Sequence, residues 1–173
     1  MGHTKGMPYK YFLFLGLASI IALTSCSDYH QMLSGGCLFV HEGSNDNMIF
    51  SNRSDMSDIY SNVLDYDYDV RYIVVLQKPD INAYALIVSS RLHSLSYKQD
   101  VITHAVNQVF EDIADSIVRT DPKYTKIFAH KFNYWIISHK EHKVFGPYTK
   151  AEYWQKRKDL GVPECLELRD EPK

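Results

Sequence analysis

Asp65, Asp67 and Asp69 place three carboxylates within five residues, a spacing that calcium loops use to present oxygen ligands. Such a loop also needs glycine at its sixth position and glutamate at its twelfth, where Val70 and Leu76 stand here. In a strand, the same alternation puts the acids on one solvated face, with Arg71 next along to offset their repulsion. That is the simpler reading, and the three acids remain the best cation-binding candidates in the chain. His139 and His142 form a His-x-x-His pair beside Glu141, with His130 upstream. Zinc accepts imidazole, but a zinc site needs three or four converging ligands with a supporting shell, so a polar hairpin turn is the simpler expectation. Cys37 and Cys165 are candidates for a disulfide in an oxidising compartment. The bridge would close a loop of more than 100 residues, a stabilisation of about 4 to 5 kcal/mol in the chain-entropy account. Single cysteines also serve as small buried hydrophobes, and that alternative stays open.

Covalent and nucleotide chemistry leave no mark. The chain has no Gly-x-Ser-x-Gly elbow, no phosphate-cradling glycine loop and no dinucleotide fingerprint, so no cofactor is expected. His104 falls on the main predicted helix, off its apolar stripe, and reads as a surface histidine. Asn52-Arg53-Ser54 fits a glycosylation acceptor and Asp115-Ser116-Ile117 resembles a bacterial O-glycosylation acceptor, both short patterns that arise by chance.

The elements that position these residues read as follows. Cys37 to Glu42 is a strand, 43–47 a turn and Met48 to Phe50 its returning partner; Ser51 to Asp58 is a polar loop. The acid-bearing strand precedes Tyr72-Ile73-Val74-Val75-Leu76, a continuous apolar run expected of a strand covered on both faces. Tyr84 to Ser89 is a further strand or a buried helical turn. A long helix from Tyr97 to Arg119 opens on a Ser96/Gln99 capping box, with Asp100 in its first turn. Its apolar stripe is Ile102, Ala105, Val106, Val109, Ile113 and Ile117. Phe132 to Ser138 and Lys143 to Gly146 form a hairpin ended by Pro147. A second capping box, Thr149 and Glu152, opens a helix stopped at Gly161.

The amino terminus carries a different chemistry. Lys5 and Lys10 precede a 13-residue apolar run, Tyr11 to Leu23. At ~1.5 Å per residue the run spans roughly 20 Å, short of a ~30 Å hydrocarbon core and suited to a signal peptide. Leu23-Thr24-Ser25-Cys26 resembles the bacterial lipobox. The resemblance implies diacylglycerol on the Cys26 thiol, cleavage before it, and anchoring to a bilayer by two or three acyl chains, which is stable where one chain is not. By resemblance to enterobacterial lipoprotein sorting, Ser27 rather than aspartate after the cysteine implies an outer membrane, in a host that has one, over an inner one, and Asp28 resembles the acidic surface-export tags of some gut anaerobes. The expected division is a cleaved signal peptide over 1–25, a lipidated tether over 26–34 and one globular domain over 35–173.

Removing 25 of the 173 residues leaves 148, enough for one domain with a sizeable core. Loss of Lys5 and Lys10 leaves 17 basic residues against 21 acidic, a net charge of −4, which argues against nucleic acid as a partner. Leu33-Ser34-Gly35-Gly36, Tyr72-Ile73-Val74 with Gln77-Lys78-Pro79, Tyr134-Trp135-Ile136-Ile137, Val144-Phe145-Gly146-Pro147 and Leu160-Gly161-Val162-Pro163 together are similar to a domain-of-unknown-function family of small bacterial lipoproteins. That resemblance implies no activity, ligand or catalytic residue.

The expectation is an α+β domain, an antiparallel hairpin-built sheet with one long packed helix and a short C-terminal helix. Its expected role is non-enzymatic binding or interaction in the cell envelope, with an envelope protein or glycan as partner. The alternatives are an envelope hydrolase or metal-dependent enzyme, and a structural envelope component. Trp135 belongs to the core on this reading and Trp154 to the surface.

Overall fold

The computed structural model describes residues 28–43, 46–54, 56–96 and 104–172. The signal peptide and Cys26 lie outside the described residues, as do Gln99, Asp100 and Ile102 and the side chains of Ser96, His104, Ala105 and Val106.

Two antiparallel sheets organise the chain. The first has the order β1 (Tyr29–Met32), β2 (Cys37–Glu42), β3 (Asp46–Ser51), with Tyr29 opposite His41, Met32 opposite Leu38 and Cys37 opposite Ser51. The stretch read as tether thus contains a strand, and only Ser27 and Asp28 separate Cys26 from it. The second sheet runs β4 (Val63–Tyr68), β5 (Tyr72–Gln77), β6 (Asn133–Ser138), β7 (Lys143–Tyr148) in chain order. Its central strands, β5 and β6, are buried at every position, as the unbroken apolar run of β5 requires. β7 continues past the expected stop to Tyr148; Pro147 is tolerated because an edge strand needs no donor on its outer side.

Period-two alternation divides the second sheet between two apolar layers. Ile73, Val75, Trp135 and Ile137 pack with Cys37 and Ile49 of the first sheet and with three helices: α1 (Ile81–Ser96), α2 (His104–Thr120) and α3 (Pro122–Ile127). Tyr72, Val74, Leu76, Tyr134 and Ile136 pack on the opposite side with Tyr153 of α4 (Lys150–Leu160) and with Val162 and Leu166 beyond it. The architecture is α+β.

Two local expectations change. Tyr84 to Ser89 lies inside α1, not in a strand. Asp80 caps that helix, its Oδ1 accepting from the Asn82 and Ala83 amides at 2.8 and 3.3 Å, and the four-residue spacing of Tyr84 and Val88 buries both. On α2 the buried line is Ala114 and Val118, with Phe110 and Ile117 partly covered, while Val109 and Ile113 are 53% and 42% exposed. The expected stripe is rotated by about one residue because Phe110 packs on His93 of α1, with ring centroids 4.6 Å apart. The C-terminal helix is as read. Thr149 and Glu152 form a reciprocal capping box, and Gly161 takes the left-handed conformation at φ 66°.

Candidate functional site

The sequence-predicted residues are dispersed to structural tasks. Asp65 accepts from the Arg169 amide at 2.7 Å and from its Nε at 3.0 Å, and Asp67 accepts from the Glu167 amide at 3.0 Å. Both acids therefore bind the C-terminal segment to β4 instead of lining a solvated face. Asp69 closes the β4–β5 turn, accepting from the amides of Arg71 and Tyr72 at 2.8 and 2.7 Å. Partial burial alone would raise its pKa, but these hydrogen bonds and the Arg71 guanidinium hold it below the usual carboxylate range. Among the described residues, no three His, Cys, Asp or Glu side chains are arranged to hold a metal ion, so Asp65, Asp67, Asp69, His139 and His142 form no joint site.

The disulfide is not formed; both thiols are free. Cys37 is fully buried in the apolar layer beneath the helices, whereas Cys165 is exposed between Val162 and Leu166, which belong to the opposite layer. The second sheet stands between the two layers. Trp135 is buried and Trp154 is 48% exposed, with the Arg157 guanidinium 4.8 Å from its ring.

His139 holds the entry of the chain. Its Nε2 hydrogen-bonds Ser34 Oγ at 2.8 Å across 105 residues, and its ring lies against Gly35, whose φ is +64° and whose missing Cβ would stand 2.1 Å from Nδ1. This explains Ser34-Gly35 physically: a hydroxyl to bond the ring, then a residue with nothing to obstruct it. Burial pulls the His139 pKa below its ordinary value, with Asp69 opposing and His142 assisting the shift. The folded state thus binds this proton less readily than the unfolded chain. Its contribution to stability is present above the ordinary histidine range, near pH 6.5, and is lost as pH falls through the depressed value. Denaturant titrations between pH 7.5 and 5 should show stability falling more steeply in the parent than in His139→Asn. Equal slopes would exclude this contribution.

A cleft of about 630 Å³ lies elsewhere, between the 51–58 loop, α1, α3 and the end of β7. Arg53, Arg91, Lys123 and Lys126 line it, with Asp58 as the sole carboxylate among the described lining residues. Tyr60, Tyr84, Tyr124 and Trp135 supply aromatic surface. Asp58 organises one wall: Oδ1 accepts from the Ser51 amide at 2.9 Å, and Oδ2 accepts from Tyr60 OH at 2.9 Å and lies 3.4 Å from the Arg91 guanidinium. Arg91 also donates to the Tyr60 hydroxyl and covers that ring, 5.4 Å from its centroid. Lys123 stands 5.4 Å from the centroid of Tyr124. Burial, then the bond to Asp58, pushes the Tyr60 hydroxyl well above the ordinary phenol range; burial pushes Tyr84 up to about 12. Both phenols stay protonated at neutral pH.

A buried polar hub supports the cleft. Gln77 Nε2 donates to the Tyr60 carbonyl at 2.6 Å and to Tyr84 OH at 2.9 Å, while its Oε1 accepts from Trp135 Nε1 at 2.9 Å and Asn133 Nδ2 at 3.3 Å. One side chain thus positions three aromatic lining residues. None of the four lining cations stands out in the sequence, because they come from a loop and two helices separated by up to 73 positions, Arg53 to Lys126.

The profile of a family described as a protein of unknown function (DUF3997) matches residues 80–172. The chain belongs to this family. The DUF3997 match takes in α1 through the C-terminal segment, and so one wall of the cleft, with Tyr84, Arg91, Lys123, Tyr124 and Lys126. The opposing wall, Ser51 to Tyr60, precedes the matched stretch. No curated protein and no solved structure matches the chain.

Proposed function

We propose that this chain is a lipid-anchored binding domain of the bacterial cell envelope that takes an anionic ligand in the cleft between the 51–58 loop, α1 and α3. The observation that carries the reading is the gathering of Arg53, Arg91, Lys123 and Lys126 around a cleft whose described lining holds one carboxylate. The chain as a whole is slightly acidic, so the gathering of these side chains among the described lining residues is a local feature. The volume falls within the roughly 300–1,000 Å³ range of small-ligand sites. The guanidinium and ammonium groups suit a carboxylate or phosphate, and the tyrosines offer ring faces and hydroxyl donors to the attached sugar or chain. An acidic envelope glycan combines those features. The lipobox at Leu23 to Cys26 supports the address, and tethering raises local concentration near such a ligand.

Calorimetric titration of the mature protein with glucuronate and with inorganic phosphate tests the cleft. Binding should weaken with salt, and Lys123→Glu combined with Lys126→Glu should weaken it by more than tenfold, since roughly 1.4 kcal/mol lost is already a factor of ten. Binding unchanged in that double variant, or no binding of either probe by the parent, would remove the anion-site reading.

A further inference from the structure

We infer that the tyrosine face beside β1 rests on the headgroup layer of the bilayer, and that the cleft opens at the far end of the first sheet from the point of attachment. The inference rests on the lipid-anchor reading of Cys26.

Covalent reach sets the first constraint. Tyr29 is three residues from Cys26, and three residues span at most about 11 Å. The headgroup layer is itself roughly 5–8 Å deep on each side of the hydrocarbon core. The start of β1 is therefore held at the membrane surface, whatever the rest of the domain does.

The chemistry of the adjoining surface is the second, independent observation. Tyr29 and Tyr68 are 51% and 36% exposed, and Tyr66 packs at a tilt against Phe39 with ring centroids 4.6 Å apart. The three phenols meet at one amide: Tyr29 OH and Tyr66 OH donate to Gln31 Oε1 at 3.1 and 2.9 Å, and Gln31 Nε2 donates to Tyr68 OH at 3.3 Å. The rings are fixed as a set, with apolar bodies and polar tips, as required where hydrocarbon gives way to water.

The direction of β1 then orients the domain. The strand runs from Tyr29, opposite His41, to Met32, opposite Leu38. Just beyond it, the Gly36 carbonyl accepts from the Asn52 amide at 3.2 Å, and Asn52 lines the cleft. Attachment and cleft thus lie at opposite ends of the β2–β3 hairpin.

The test uses protein extracted from membranes and reconstituted in phosphatidylcholine vesicles whose acyl chains carry bromine near the headgroup. Mass spectrometry of the N-terminal peptide first reads the acyl groups on Cys26. In Tyr29→Trp, and in Tyr68→Trp as a second position, the introduced indole should lose emission to the bromolipid. The parent, whose exposed indole is Trp154, should lose little. Acylated protein with no added quenching at either position overturns this inference and leaves the anchor standing. Absence of acyl groups on Cys26 overturns the anchor and this inference with it. Protection of the same tyrosines by dimerisation in the absence of lipid assigns the face to a second copy of the chain, and likewise overturns it.

Discussion

Gln77→Leu is expected to lower the free energy of unfolding by about 3–5 kcal/mol, read by denaturant titration, because it strands several buried partners at once. Gln77 is fully buried, and its amide serves four groups. Leucine fills the space but leaves the Tyr60 carbonyl and the Trp135 indole N–H without their bonds to this side chain. An orphaned buried group costs roughly 1–3 kcal/mol. Asn133 is hit less hard, since its Nδ2 also donates to the Ile127 carbonyl at 2.7 Å. Tyr60, Tyr84 and Trp135 line the cleft, so the protein that remains folded should also bind glucuronate more weakly. A loss of stability below about 1 kcal/mol would show that the hub merely fills space.

Gly146→Ala should cost about 3 kcal/mol, for two separable reasons. Its φ of +129° disfavours any side chain, and a Cβ there would stand 2.8 Å from both the Trp135 ring and the Tyr134 carbonyl oxygen. Neither neighbour can retreat cheaply: one is backbone in a central strand, and the other is held by Gln77. Gly43→Ala is the matched control, with φ +67° and nothing within 4 Å of the added carbon, so it carries backbone strain alone. Calorimetric melting of the two variants should place Gly146→Ala well below Gly43→Ala. Equal midpoints would exclude the close approach as the cause. Combined with Gln77→Leu, the Gly146 effect should be less than additive, because both act through the placement of Trp135.

Local signals carried much of the architecture. The uninterrupted run at Tyr72 to Leu76 specified a strand with two covered faces, and Thr149, Glu152 and Gly161 marked both ends of α4. These depend on neighbours in sequence and on backbone chemistry that a short window contains. The residues Tyr84 to Ser89 suit a strand as well as a helix; Asp80, four residues upstream, decides for the helix by capping it. The buried line of α2 differs from the expected stripe by about one residue because periodicity gives a helix a face without saying which neighbour it meets. The candidate site was the least legible part. Asp65, Asp67 and Asp69 drew attention by spacing, yet their partners, Arg169 and the Glu167 amide for the first two, are more than 90 residues away. Arg53, Arg91, Lys123 and Lys126 have no shared spacing at all. Only tertiary structure brings them to one cleft.

The attachment of the C-terminal segment to Asp65 and Asp67 has a consequence for the order in which the molecule is completed. Tyr72, Val74 and Leu76 are made early in synthesis, but the residues that cover that face, Tyr153, Val162 and Leu166, come near its end. The ribosome makes the chain amino terminus first, so this side of the second sheet stays uncovered until almost the last residue has been added. A chain that stops at residue 160 would retain every described strand and all four described helices, yet leave Tyr72, Val74 and Leu76 without Val162 and Leu166 against them.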